Sequence, residues 1–283
     1  MEKELASVFQ YYAFFEYFPN FDDIYTFFPK KIRKKQLKNE LKRIKYTPVE
    51  YSISASTEGN IFFKEKLKKV QLYIKLISLF PQIKLIGLSG SMAMKNPKSE
   101  DDIDLFIITE KKRLFTARFL ATIISFIMGL KRSIGQNEAP NKVCLNLFFD
   151  ESNLKVPKFK QTEFVGHEVL QMKPVIVKDN IYERFLEANL WVQAIFPNSS
   201  WIMSKVKSQK SKIQVKSQKY FKNFKLLTLT SNFLLLTFNF IESILKNLQL
   251  TLINRHRTTE MITSTQLWFH PDDFEKKIKK LKG

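Results

Sequence analysis

A chain of 283 residues with 44% hydrophobic content is long and apolar enough to bury a sizeable core, and fits a folded protein of two or three modules. Its single cysteine, Cys144, excludes an internal disulfide and suits a reducing compartment. The formal net charge of +20 invites a polyanionic partner such as RNA or DNA, because clustered Lys and Arg displace counterions from phosphates; it fits equally a set of lysines dispersed over solvated surfaces.

The opening stretch MEKELASVFQYY lacks a basic region followed by an apolar core, so no signal peptide is expected and the cytoplasm is the expected location. Residues 2–17 place Leu5, Val8, Phe9, Tyr12 and Phe15 at helical intervals. After a turn at Pro19-Asn20, Asp22 and Asp23 stand where a short helix through Phe28 would begin, favourably for its dipole. Ile32 to Ile44 reads as a third helix, with Leu37, Leu41 and Ile44 on one face and Lys34, Lys35, Lys38 and Lys42 on others. Val49 to Phe63 is strand-like, with a turn expected at Glu58-Gly59-Asn60. Three helices and a hairpin are the order of a winged helix, whose third helix would read a groove; the plainer reading is a helical cap with a solvated basic face.

Lys64 to Phe80 is expected as a helix with Val70, Tyr73, Ile74 and Ile77 inward, ended by Pro81. Next comes IGLSGSMAMKNPKSEDDIDLFII, from Ile86 to Ile108: a strand, a turn on Ser89-Gly90-Ser91, a polar loop, and a second strand carrying Asp102-Ile103-Asp104. Gly90 permits a tight turn with accessible N–H groups, and the hydroxyls of Ser89 and Ser91 can bind phosphate oxygens. Alternate residues of a strand share a face, so Asp102 and Asp104 project together, roughly 6–7 Å apart at the Cα, and can hold one or two Mg²⁺ ions.

A Gly-Ser turn after a strand, a short interval, then acidic-apolar-acidic on the next strand resembles the signature of the DNA polymerase beta-like nucleotidyltransferase superfamily. The resemblance implies that Asp102 and Asp104 ligate Mg²⁺ or Mn²⁺ and that Gly90 and Ser91 hold the triphosphate of an NTP. The order of parts, with a CLN strand, a HEVLQMKP helix and an FHP segment further on, is also similar to a group of bacterial nucleotidyltransferase-domain proteins.

Phe115 to Leu130 is strongly apolar yet shorter than the roughly 20 residues that span a bilayer, so it reads as a helix covering the sheet. Its Arg118 can reach phosphates, pair with a carboxylate or snorkel to the surface. Val143 to Phe149 reads as a further strand. The superfamily usually has a third carboxylate in this region, and the matching position holds Asn146, whose amide oxygen can ligate a metal without adding charge. Metal binding is then weaker, or another acid substitutes. Asp150 shares the parity of Asn146 but lies about 13 Å further along an extended strand. His167-Glu168 begins HEVLQ, in which Gln171 stands where a zinc helix needs its second His, so His167 reads as a helix-start or core histidine.

Residues 180–203 read as an aromatic amphipathic helix halted near Pro197-Asn198, and Lys205 to Lys225 as a basic tract in which VKSQK occurs twice. That tract could track an RNA backbone or be a solvated linker. Leu226 to Ile241, closed by Glu242, reads as a buried helix of a C-terminal bundle; with the tract before it, it also resembles a juxtamembrane polybasic segment and a membrane helix. The tail FHPDDFEKKIKK carries helix-start residues at Pro271, Asp272 and Asp273.

The expected fold is α+β: a nucleotidyltransferase mixed sheet flanked by helices at 64–178, a winged-helix-like module at 1–63, and a helical region at 179–283 containing the basic tract 205–225. The expected function is Mg²⁺-dependent transfer of NMP from an NTP to an unidentified hydroxyl, with Asp102 and Asp104 catalytic, Asp102, Asp104 and Asn146 on the metal, and Ser89, Gly90, Ser91 and Arg118 on the nucleotide. The rivals are a non-catalytic nucleic-acid-binding protein on the same scaffold and a membrane-attached protein using Lys205–Ile241.

Overall fold

The computed structural model describes residues 1–46, 53–132, 139–206, 232–255 and 259–269, with side chains described in these except at 53–60 and 232–238. The N-terminal helices are α1 (Glu2–Phe14), α2 (Phe21–Phe27) and α3 (Lys34–Arg43). The start of α2 is set by a capping box, in which the Asn20 side chain accepts the Asp23 N–H and the Asp23 carboxylate accepts the Asn20 N–H. Leu37 and Leu41 of α3 are buried, as their spacing predicts, whereas Ile44 lies beyond the helix and is exposed.

The hairpin expected before residue 63 is corrected. Ile53 to Phe63, which includes the turn expected at Glu58-Gly59-Asn60, belongs to the helix α4 (Ile53–Ser78), and Val49–Ser52 lie outside the described residues. A mid-helix glycine costs only about 1 kcal/mol, so Gly59 is carried by a 26-residue helix whose C-terminal half buries Val70, Tyr73, Ile74 and Ile77. The expected module boundary at 63/64 runs through this helix.

Six strands form one mixed sheet: β1 (Ile83–Leu88), β2 (Ile103–Thr109), β3 (Val143–Asp150), β4 (Lys173–Val177), β5 (Met261–Ile262) and β6 (Gln266–Trp268), in the order β4-β1-β2-β3-β6-β5. β2 and β3 run parallel, and the other neighbours pair antiparallel. Between β1 and β2 lies the short helix α5 (Gly90–Met94), where a polar loop was expected, and α6 (Leu114–Ile127) makes the crossover to β3. The central strands read as nearly unbroken apolar runs because both faces of the sheet are covered. Leu85, Phe106, Ile108 and Phe149 join a core with α1–α3 and the helices after residue 160; Ile86, Leu88, Leu105, Ile107 and Phe148 join another with α4 and α6.

The first of these cores is closed by α7 (Glu163–Gln171), α8 (Ile181–Ala188), α9 (Val192–Ile195) and a helical run at 200–206. The single helix expected over 180–203 is therefore broken, and two asparagines account for it. Asn189 is fully buried and bonds Val156 N–H, Leu154 O and Phe185 O, while Asn198 accepts Ile32 N–H and donates to Phe28 O and Lys30 O. Each satisfies loop backbone that would otherwise be buried unpaired. His167 is a core histidine, stacked on Tyr11 and Phe27 at ring-centroid distances of 3.5 and 3.9 Å.

The last helix, α10 (Asn232–Asn254), runs through Glu242, which was expected to close it, and packs on α6. Glu242 instead caps α6, accepting the N–H groups of Phe115 and Thr116, each at 2.8 Å. Of the buried helix expected over Leu226–Ile241, residues 226–231 lie outside the described residues, and the described Phe240 and Ile241 at its end are exposed, as are Ile244, Leu248 and Leu252 beyond it. Among the described residues no helix is long and apolar enough to cross a membrane. Residues 207–231, which contain most of the basic tract, and the tail from His270 lie outside the described residues.

Candidate functional site

Ser89 immediately follows β1 and stands opposite Asp104 of β2, donating its N–H to the Asp104 carbonyl at 3.1 Å. Directly opposed residues of an antiparallel pair share a face, so both side chains lie on the side of the sheet covered by α7. Gly90 follows with φ +55°, and a Cβ there would stand 2.6 Å from Oδ2 of Asp104. Backbone geometry and the approach of the carboxylate each require glycine at this turn.

Asp102 immediately precedes β2 and is held from several directions. Buried Lys66 of α4 donates to Ser99 O at 2.9 Å and Asp101 O at 2.7 Å, Asn141 N–H bonds Asp101 O, and Ile103 N–H bonds Lys142 O. Burial lowers the ammonium pKa of Lys66, opposed by the charge of Asp101. The Arg132 guanidinium reaches Asp102 Oδ2 at 2.6 Å and lies 3.6 Å from Cys144 Sγ. Oxygens of Asp102 and Asp104 and the Cys144 sulfur lie within 4.8 Å of one another. The two aspartates thus converge as their alternation predicts.

Asn146 joins this cluster, but its amide nitrogen donates to Asp104 Oδ1 while its oxygen accepts from the Cys144 thiol at 2.5 Å. It orients Asp104 where a ligand oxygen was expected. The register explains why Asp150 is absent from the cluster. Asp104 pairs with Cys144 but Phe106 with Leu147, so β3 carries an extra residue here, and beyond this bulge its alternation is inverted. Asp150, opposite Thr109, falls on the other face.

A third carboxylate comes from α7. Burial pushes the Glu168 carboxyl pKa up to about 7, against the lowering effect of the nearby Gly90 backbone N–H. Burial, then the charges of Asp102 and Glu168, hold the Asp104 carboxyl well above the usual carboxylate range. Burial and the same two aspartates raise the Cys144 thiol, which is therefore protonated and a poor ligand as it stands. Ser89 is 4% exposed, and its hydroxyl oxygen is buried with no hydrogen-bond partner.

Ser91 lies half-buried in α5. Arg118 is not brought to the cluster. Its guanidinium bonds Gln249 of α10 at 2.7 Å and lies over Phe269 at 4.8 Å, and burial lowers its pKa to about 10. It faces α10 rather than the carboxylates because it projects from the outer side of α6. Sequence reasoning missed Glu168, Arg132, Lys66 and Cys144. The shared parity of Cys144 and Asn146 was a usable signal; for the others, contacts distant in sequence decide.

No protein-family model matches the chain, and comparison with curated proteins and with solved structures returns no match.

Proposed function

We propose that the protein is a divalent-metal-dependent nucleotidyltransferase, moving a nucleoside monophosphate from an NTP to an acceptor hydroxyl with release of pyrophosphate. The observation that supports this best is the packing of the Asp104 carboxylate against Gly90, with Asp102 converging on the same point. A hard cation fits the residues present: two aspartates offer oxygen, an unpartnered buried hydroxyl adjoins them, and Gly90 leaves a cradle that a Cβ would fill. Asp102 and Asp104 would hold Mg²⁺ or Mn²⁺, which when bound supplies positive charge at the α-phosphate and lowers the pKa of the attacking hydroxyl. Lys66 fixes the backbone beside Asp102, and Asn146 fixes the rotamer of Asp104. The Ser91 hydroxyl, half-buried beside the turn, and the Arg132 guanidinium, once turned from Asp102, would meet the phosphates. The net charge of +20 favours a polyanionic acceptor such as RNA over a protein hydroxyl or small molecule, and the lone cysteine favours the cytoplasm.

One observation favours a second reading. Arg132 already neutralises Asp102, as a metal would, which suits a scaffold that binds nucleic acid without turnover. The test is incubation of the full chain with Mg²⁺, NTPs labelled at the α- or γ-phosphate, and total cellular RNA or protein, beside an Asp102→Asn/Asp104→Asn variant. Transfer of α-label but not γ-label, lost in the variant, is expected. Transfer that persists in the variant overturns the site, and no transfer with retained RNA binding selects the second reading.

A further inference from the structure

Residues 30–45 carry nine Lys or Arg against one acid, Glu40, and α3 runs through the middle of them. With Leu37 and Leu41 buried, Lys34, Lys35, Lys38 and Lys42 are exposed within an arc of about 100°. Lys34, Lys38 and Lys42 stand one turn apart along about 12 Å. Glu40 lies off this arc and is held by Arg43 at 3.0 Å, and Lys35, Lys38 and Lys42 make no ion pair among the described residues. Like charges four residues apart weaken a helix. So do cations at its N-terminal end, where Arg33, Lys34 and Lys35 stand with no acid in the first turn. A face that only meets water intersperses both signs, so this stripe works against its own helix unless an anionic ligand offsets it.

One end of the stripe meets an aromatic ring. Trp201, half-buried in the helical run at 200–206, donates its indole N–H to Thr26 Oγ1 at 2.9 Å, which fixes the ring. The ammonium groups of Lys34 and Lys205 lie 5.4 and 5.3 Å from its centroid, and Lys34 lies 5.0 Å from that of Tyr25. A fixed, accessible ring among cations is what an unpaired base and its phosphates need. The exposed side of α3 has no large apolar side chain to enter a bilayer, and α4 stands at 53–63 where a duplex reader would carry its wing. The surface is on the candidate site's side of the sheet. Met94 of α5 packs into the core that holds α1–α3, Asn96 donates to Glu16 O at 3.3 Å, and Lys98 pairs with the Glu16 carboxylate at 2.8 Å.

We infer that this surface binds a single-stranded nucleic acid, with phosphates on Lys35, Lys38 and Lys42 and a base stacked on Trp201. As the docking place of a polyanionic acceptor the inference rests on the proposed function; as a binding surface it stands without it.

The test is fluorescence anisotropy of labelled RNA and DNA oligonucleotides of one mixed sequence, about 20 nucleotides long to cover a full site, titrated with the full chain over a range of salt. EDTA is present and NTP absent, so this result and label transfer fail independently. Lys35→Gln/Lys38→Gln/Lys42→Gln is expected to weaken binding about 10-fold or more. It should also lower the slope of log affinity against log salt by about 2, at roughly 0.7 per lost phosphate contact. Trp201→Leu is expected to weaken binding about 5- to 100-fold with the slope unchanged. Lys64→Gln/Lys68→Gln/Lys75→Gln, the same charge change on α4, should alter affinity less than about 2-fold, and circular dichroism checks each fold. Binding of either oligonucleotide with this pattern supports the inference, and the tighter one names the source. Wild-type affinity and slope in the α3 variant, or an equal loss in the α4 variant, overturns it. So does a wild type that binds vesicles of anionic lipid but neither oligonucleotide. Should Trp201→Leu not fold, the three exposed lysines decide alone.

Discussion

Asp104 and Asp150 lie on adjacent strands and differ in what surrounds them. Asp150, 2% exposed, accepts the Lys112 N–H at 2.6 Å and both the N–H and the hydroxyl of Ser152 at 2.8 and 2.6 Å. Its charge is consumed in holding two turns, much as Glu242 is consumed in capping α6. Asp104 has Asn146 as a donor, and its other carboxylate oxygen faces Gly90 in a region made more negative by Asp102 and Glu168. The bulge in β3 separates the two roles by sending Asp150 to the opposite face. A buried acid surrounded by donors is held charged; one surrounded by acids has its pKa raised.

The comparison is broken most directly at Asp104. Asp104→Asn should lower NMP transfer by about 10³-fold, the scale of losing several kcal/mol of charge stabilisation at the reacting phosphate. It should also raise the melting temperature in EDTA, because it removes a carboxyl whose ionisation burial and the neighbouring acids disfavour. Label transfer and thermal melting check the two halves, and a variant that melts lower would place Asp104 with Asp150 as a structural acid. Asp150→Ala should do the reverse: destabilise the fold by about 2–3 kcal/mol, by orphaning the Lys112 and Ser152 donors, while Mn²⁺ affinity stays unchanged. Urea midpoints and Mn²⁺ titration measure this.

Gly90→Ala sharpens the contrast, since it strains a left-handed residue and pushes on Asp104. The expected losses are about 1–2 kcal/mol of stability and about 10-fold or more in Mn²⁺ affinity, read by the same two methods. The smallest effect concerns Lys178, the cationic counterpart of Asp150, whose ammonium donates to Ser78 O and Phe80 O at the end of α4. Burial and then the charge of Lys84 lower its pKa from 10.5 to about 8. Between those values the unfolded chain binds more protons than the folded one, so this group's contribution to stability rises with pH across that window. The urea midpoint of the wild type relative to Lys178→Met should therefore increase from pH 8 to pH 10.

The strand–turn–strand carrying Asp102 and Asp104 was legible in the sequence because turn chemistry and two-residue alternation are local properties. So were the inward residues of α3 and of the second half of α4. The first half of α4 was not, because IFF after Gly59-Asn60 suits a strand and a helix alike, and the long helix decides. Lys66 stands in KEKLKK among lysines with the same local pattern, and only the turn carbonyls that it meets distinguish it. Glu168 sits in a helix whose periodicity marks the core face but not what the adjoining residue touches. Arg118 was assigned to phosphates from its place near the start of α6; its direction is fixed by Gln249, 131 residues later.

A crystal structure of the full chain grown with Mn²⁺ and a non-hydrolysable NTP tests the central claim most directly. The account predicts an anomalous manganese peak between Asp102 and Asp104, with the triphosphate beside Ser91 and Arg132 turned from Asp102 towards it. A clear electron-density map with Arg132 still paired to Asp102 and no manganese at the two aspartates would contradict it.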